Sequence, residues 1–261
     1  MGSATTQALS AVRQQLPSTA DLQVARELFS AARAIEENSA LAGAFADSSA
    51  PEQLRASIAH DVFAQTASAA TVIVLQAVAR QRWSSAADVI DGIEELAIRV
   101  AAISAPKADI EAELFTVGRT IAANADLELA LGSRLGASAV KGELVQALLG
   151  GRVSDETTLI VSSLVQHPRE RRVRSLVQHA LAVVADQRGR AVATVTSARE
   201  LTAAQLQRLT DTLTRRYGRE LSLNAIVDPM VVGGLRVQVA DDVIDASVST
   251  RLADLRQRLA G

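Results

Sequence analysis

The chain has 261 residues and a formal net charge of −2, enough length for one or two ordinary domains and too little charge for a global pull toward nucleic acid or acidic lipid. It has no cysteine, which excludes disulfides, Cys-held metals and thiol nucleophiles. Hydrophobic residues make up 48% of the chain but aromatics only 2%, so its cores rest on Ala, Leu, Val and Ile, and Ala and Leu lead the helix scale. The most apolar patch, Thr71 to Ala79, falls far short of the roughly 20 residues a bilayer span needs. The N-terminus lacks the basic-then-apolar order of a secretory signal. Its first residues, Met1-Gly2-Ser3-Ala4-Thr5-Thr6, fit the loose myristoylation pattern. Against that stands an Ala- and Arg-rich composition with Lys107 and Lys141 as the only lysines, which points to a GC-rich bacterial genome.

In chain order, residues 3–15 read as a short helix ending before Pro17. Asp21 caps the next, which turns Leu22, Ala25, Leu28, Ala32 and Ile35 inward and ends near Asn38. A short helix spans Leu41 to Phe45. Ser49 before Pro51 reads as a helix start, since Pro is tolerated in a first turn, and Leu54, Ile58 and Val62 are expected on the buried side. Ser68 opens a helix with Val72, Leu75 and Val78 or Ala79 inward. Trp83-Ser84-Ser85 marks a break and a new cap. The helix from Ala86 to about Ile103 ends at Pro106, and its apolar set (Val89, Ile90, Ile93, Leu96, Ala97, Val100, Ala101) is wider than one-sided burial needs.

The pattern then returns. A shift of 86 residues places Glu27-Leu28-Phe29 on Glu113-Leu114-Phe115, Arg33 on Arg119, Ile35 on Ile121, Asn38 on Asn124, Leu41 on Leu127 and Ala44 on Ala130. The same shift places Ser68 on Ser154, Thr71 on Thr157 and Val74 on Ile160. One gapless shift over most of a bundle reads as an internal duplication of a helical unit, with a period far longer than a TPR or HEAT repeat. Residues 1–105 then form a first bundle, 106–188 a second, and helix 86–103 serves both.

After Asp186-Gln187-Arg188-Gly189 the period changes. Ala191 to Ser197 reads as a strand. Thr202-Ala203-Ala204-Gln205 has capping-box spacing, opening a helix with Leu206, Leu209 and Leu213 that Gly218 can end. From Leu221 to Val248, two branched-residue runs are split by Asp228-Pro229 and Gly233-Gly234. Leu235, Val237 and Val239 alternate with Arg236 and Gln238, as in a half-buried strand. A last helix from about Ser247 would align Val248, Leu252, Leu255 and Leu259. The fold class expected is mainly α: tandem antiparallel helical bundles, then a strand-helix-strand-strand-helix mixed-sheet domain over 189–261 whose first two strands run parallel.

Side chains that carry chemistry are sparse. No phosphate loop and no GxGxxG occurs. His60, His167 and His179 are scattered and lack partners at metal spacing, so structural roles are favoured. Asp241, Asp242 and Asp245 offer hard oxygen ligands, but Asp245 at a helix start and the pair at a bend fit capping and turn roles better. Arg169, Arg171, Arg172 and Arg174, with Arg188 and Arg190 beyond, form the one basic patch. Glu170 interrupts it and aromatics for base stacking are few, so a solvated face or protein-binding rim is favoured over nucleic acid. Trp83 fits helix-junction packing or an interface anchor. No catalytic, cofactor-binding or metal-binding residue is assigned.

The order Val-Asp-Pro, Gly-Gly, Arg-Val-Gln-Val, Asp-Asp-Val-Ile-Asp and Ser-Val before a Leu-spaced helix resembles the delta-subunit family of F-type ATP synthase, whose mitochondrial counterpart is the oligomycin-sensitivity-conferring protein. Ala240 and Ala246 stand where that family often has Gly. The resemblance implies a non-catalytic stator subunit without a cofactor. Its helical domain would receive N-terminal helices of alpha subunits on the catalytic head, and its C-terminal domain would hold the end of the b subunit. An ordinary member has one helical bundle. Two bundles resemble the enlarged actinobacterial form, with the second as the one that grips alpha and with b supplied as a separate chain. One copy per complex is expected, peripheral on the cytoplasmic face of the bacterial membrane. The competing reading is a free helical adaptor that binds partner helices in another complex. Companions separate the two: alpha, beta, gamma and b subunits for the first, a soluble pool without them for the second.

Overall fold

A computed structural model describes residues 2–133, 137–169, 171–231, 233–239 and 242–245. The chain divides into two compact units, Met1–Val183 and Val184–Gly261.

The first unit is helical: α1 (Ser3–Arg13), α2 (Leu22–Glu37), α3 (Ser39–Ala46), α4 (Glu52–Phe63), α5 (Ala69–Arg80), α6 (Ala86–Ser104), α7 (Ile110–Ala123), α8 (Ala125–Gly132), α9 (Ser138–Leu149), α10 (Asp155–Gln166) and α11 (Val173–Gln187), the last crossing its boundary. Local chemistry sets the starts. Asp21 Oδ1 accepts the Gln23 N–H at 2.8 Å, and the Asn38, Ser68, Ser85, Asp109 and Ser154 side chains each accept an N–H of their own first turn, satisfying donors a helix start leaves open. α3, α4 and α5 begin and end 86 residues before α8, α9 and α10. Packing follows the same shift: α4 lies on α5 as α9 lies on α10, and α2 touches α3 and α5 as α7 touches α8 and α10.

Moved by 86 residues, α1 falls inside α6, and α6 packs on α10 as α1 packs on α5. α6 also packs on α1, α2, α3 and α5. From Val89 to Ala102 every residue of α6 is buried except the half-buried Asp91. A helix buried around most of its circumference needs neighbours on several sides, and α6 has them from both sets.

Two expectations for α4 are corrected. Ser49 is not its cap: Pro51 precedes the helix, and Ser49 donates to Asp47 Oδ1 at 2.9 Å through its N–H and 2.6 Å through its hydroxyl. The buried side is Arg55, Ala56, Ala59 and Phe63, whereas Leu54 and Val62 are 53% and 43% exposed. An i, i+4, i+8 apolar row satisfies helical periodicity on either face, and here it faces outward.

The second unit holds β1 (Arg190–Ser197), α12 (Ala203–Tyr217), β2 (Glu220–Val227), β3 (Leu235–Val239) and β4 (Asp242–Asp245) in a sheet of order β2-β1-β3-β4. β1 and β2 are parallel across α12, with Arg190 beside Glu220, and β1/β3 and β3/β4 are antiparallel. Thr202 and Gln205 form the capping box, and Gly218 ends α12 at φ 69°, in left-handed space suited to glycine. Ala191, Ala193, Val195, Leu221, Val237 and Val239 meet Leu213 of α12 in the core. The short strand β4 is an addition to the expected order. Branched Val243 and Ile244 pair with Gln238 and Val237 and extend the ladder past the expected bend. Asp245 accordingly ends a strand opposite Arg236. The helix expected from Ser247, with Ala240, Asp241 and Ala246, lies outside the described residues.

Ile93 of α6 is fully buried. Ile93→Asp is expected to lower stability by about 4 kcal/mol or more and to accelerate amide exchange in α2 and α10 alike. Exchange confined to one of these helices would show that α6 does not hold both sets.

Candidate helix-docking surface

The docking candidate is a pair of outward ridges on a rigid frame. Each set of helices is locked by the same clasp. Glu27, on α2, accepts the Ser68 N–H at 2.9 Å, the Ser68 hydroxyl at 2.7 Å and the Thr71 hydroxyl at 2.6 Å. Glu113, on α7, accepts the Ser154 N–H at 3.0 Å, the Ser154 hydroxyl at 2.6 Å and the Thr157 hydroxyl at 2.5 Å. Both carboxylates thus sit on a helix N-terminus, where charge-assisted bonds and the helix dipole favour an anion. Burial raises the pKa of Glu27, but the bonds from Thr71 and Ser68 outweigh it and hold the group at about 2.

Arg55 binds the other end of α5. Buried at 3% exposure, it donates through Nε to Ala79 O at 2.6 Å and through Nη2 to Arg80 O at 2.8 Å and Gln81 O at 3.2 Å. Nη1 serves Asp47 O and Ala50 O. A cation on open helix carbonyls is well placed, and it ties the 47–50 loop to α5. Its counterpart 86 residues on is the buried Lys141.

The loops into α6 and α11 seat different groups on α6. Trp83 packs against Gly92, where a Cβ would come within 2.3 Å of the ring, and its Nε1–H donates to Val78 O at 2.9 Å. Its counterpart, Arg169, has a left-handed backbone at φ 43°, a strained conformation for a residue with a side chain. That geometry accompanies ion pairs to Asp91 at 2.7 Å and to Glu94, with Glu36 of α2 at 3.8 Å. Arg171 adds Glu94 at 3.0 Å and Asp91 at 3.5 Å, and His167 lies 3.5 Å from Glu36. Burial raises the Glu94 pKa against the pull of Arg169 and Arg171, and burial lowers that of His167 against Glu36. Such a partly buried network adds little net stability but defines geometry, because removing one partner strands the others.

The surface candidates are apolar. On α4, Leu54 (53% exposed) and Val62 (43%) flank the half-buried Ile58. On α9 the positions 86 further on are Val140 (59%), Leu144 (38%) and Leu148 (38%). Each ridge spans two helical turns at i, i+4 and i+8, the spacing that receives another amphipathic helix. Beside the second ridge lies a cavity of about 380 Å³, lined chiefly by Val117, Ile121, Leu131, Val145, Leu148 and Leu149, with Arg152 its only charged lining residue.

The residues singled out in the sequence do not gather into a catalytic centre. His60 and His179 are exposed, whereas His167 lies beside Glu36. Arg169 and Arg171 face the acidic wall of α6, Arg172 is exposed, and Arg190 pairs with Glu220 at 3.5 Å. Of the expected basic patch, Arg169 and Arg171 thus turn into an ion network, while Arg172 and the Arg190–Glu220 pair stay at the surface. Asp242 accepts a hydrogen bond from the Tyr217 hydroxyl. Among the described residues no His/Asp/Glu group is arranged to hold a metal, and no helix is long and apolar enough to cross a membrane. Sequence reasoning missed the clasps, Arg55 and the outward ridge of α4. The clasps did leave a signal, since Glu, Ser and Thr recur together at one shift.

Comparison with known proteins decides the family. Residues 97–259 match the family model described as ATP synthase delta (OSCP) subunit. A Leifsonia xyli protein named ATP synthase subunit delta is 43% identical, with all of both chains covered. The chain belongs to the ATP synthase delta (OSCP) family. Two Streptomyces proteins of the same name, from S. avermitilis and S. coelicolor, are 35% and 36% identical, covering 98% and 100% of this chain and 98% of their own lengths. A chain of the Toxoplasma gondii mitochondrial ATP synthase hexamer matches 64% of this one and 97% of its own length at 18% identity and a TM-score of 0.40, a likeness too loose to carry weight. As a delta/OSCP member the protein is a structural stator subunit of ATP synthase and not a catalyst. The family match opens inside α6, at residue 97. The delta family model therefore takes in α7 to α11 and the sheet unit, whereas α1 to α5 precede it.

Glu27 tests the clasp. Its folded pKa lies below the ordinary value of 4.5, so its contribution is complete above about 4.5 and disappears as pH falls toward 2. Glu27→Gln is expected to lower stability by about 1–3 kcal/mol at neutral pH and to flatten the stability loss between pH 4.5 and 2. Urea unfolding across that range checks both, and parallel wild-type and variant curves would refute the assignment.

Proposed function

We propose that this chain is the joint between the catalytic head and the peripheral stalk of a bacterial F-type ATP synthase. Its second helical set, over 106–188 and sharing α6, receives N-terminal helices of the alpha subunit. Its C-terminal unit, over 189–261, holds the end of the b subunit. The complex lies on the cytoplasmic face of the cell membrane, with one copy of this chain, and α1 to α5 are an added copy of the helical set.

The observation that carries this reading is the α9 ridge with its adjoining apolar cavity. Val140, Leu144 and Leu148 expose a row of helix-docking spacing in the part of the chain that the delta family model covers. A joint under rotational load needs sizeable apolar contact, since isolated surface ion pairs contribute little. The clasped helices behind the ridge supply stiffness without chemistry.

The test is cross-linking within synthase purified in detergent, followed by mapping of linked peptides. Links from α9 to the alpha N-terminus and from the sheet unit to b are expected. Deleting the chain should leave ATP hydrolysis intact while abolishing the proton pumping it drives. A chain recovered only in soluble complexes without alpha, beta, gamma and b subunits would instead mark a helical adaptor.

A further inference from the structure

We infer that the outer face of α5, in the first helical set, receives an amphipathic helix from another subunit, one with carboxylates at the end that lies over Arg80 and Arg82. This goes beyond the joint reading, which leaves α1 to α5 without a partner.

The face is open where its counterpart is covered. Ala70, Ile73, Ala77 and Arg80 share one side of α5, at i, i+3, i+7 and i+10. Ala70 and Arg80 are exposed, Ile73 is 64% exposed, and the short Ala77 between them is buried. Moved by 86 residues these positions are Glu156, Leu159, Ser163 and Gln166 of α10. There Leu159 is only 7% exposed, and Glu156 and Gln166 are half-buried. α1, α2 and α4 pack on α5 as α6, α7 and α9 pack on α10, but α10 has a further neighbour in α2. No helix of the described residues takes that place on α5. The open face is nonetheless the more apolar of the two. Ala69, Ala70, Ile73 and Ala77 stand where α10 has Asp155, Glu156, Leu159 and Ser163. A helix apolar around most of its circumference is normally buried, yet α5 exposes Ile73.

The cover that α10 has defines the one that α5 lacks. α2 is amphipathic, and Glu36 in its last turn reaches His167 and Arg169 just past the end of α10, at 3.5 and 3.8 Å. The shift puts Gln81 and Trp83 at those two positions. The first set carries its positive charge one residue earlier in each case, on Arg80 and Arg82. Both are exposed, and neither pairs with a carboxylate among the described residues. A docking helix would therefore lay an apolar row over Ala70 and Ile73 and bring carboxylates of its last turn to the two arginines. The apolar row supplies the affinity, and the charges at the rim set the register.

The experiment places the photo-reactive residue benzoylphenylalanine at Ile73 in synthase purified in detergent and maps the light-induced adducts. Ile73 is exposed, so the isolated chain should melt as wild type does. The adduct should fall on a helical segment of another subunit, with Asp or Glu about one turn away. Adding Arg80→Glu and Arg82→Glu should cut its yield about tenfold, with the chain still folded. The same probe at Glu156 should link to α2 of its own chain. An Ile73 adduct that is absent, lies in a non-helical segment or falls on a second copy of this chain would overturn the inference. So would full yield from the double arginine variant, or a Glu156 probe that never links to α2. None of these outcomes touches the α9 links, which test the joint reading separately.

Discussion

Everything in the helical unit depends on α6 having no side that can face water. Its residues from Val89 to Ala102 are buried nearly all round, so the chain must supply helices on every flank. It does so by packing α1, α2, α3, α5 and α10 against it. Buried charges on the same helix then need partners. Arg99 donates twice to Glu95, through Nη2 at 2.7 Å and Nε at 3.0 Å, and Glu94 is met by Arg169 and Arg171. The apolar surface supplies the driving force for this packing, and the ion pairs restrict it to one arrangement.

Around that axis the chain treats helix ends as structural joints. A carboxylate from α2 or α7 closes the N-terminus of α5 or α10, and Arg55 closes the C-terminus of α5. These contacts satisfy backbone groups that a short helix leaves open, and they join elements distant in sequence. For a structural stator subunit, such internal bonding stiffens the helices without any chemistry.

The two helical sets keep their frame and differ in what fills it. The clasps are the same, and three short helices have the same limits under one shift. Arg55 against Lys141, Trp83 against Arg169 and Phe45 against Leu131 change the interior while leaving the outer ridges alike. Large apolar cores accept such exchanges when overall patterning is kept. The shared frame therefore persists while the side chains inside it diverge.

Periodicity and cap chemistry are properties of neighbouring residues. For that reason helix positions, the capping box at Thr202, the left-handed end at Gly218 and the recurrence of helices at 86 residues were legible from the sequence alone. So was the family, because the turn residues of the final third are a local signature. The limits lay where two faces of one helix satisfy the same local rule. Leu54, Ile58 and Val62 keep helical spacing whether they face the core or the solvent. Only the packing of Arg55, Ala59 and Phe63 against α5 and the 47–50 loop decided that the row points outward. The clasps, the Arg169 network and the cavity beside α9 likewise join residues distant in sequence, from about 40 positions in the clasps to about 130 between Glu36 and Arg169. Which of them meet is set by how the helices stack, and the sequence of any one helix does not contain that information.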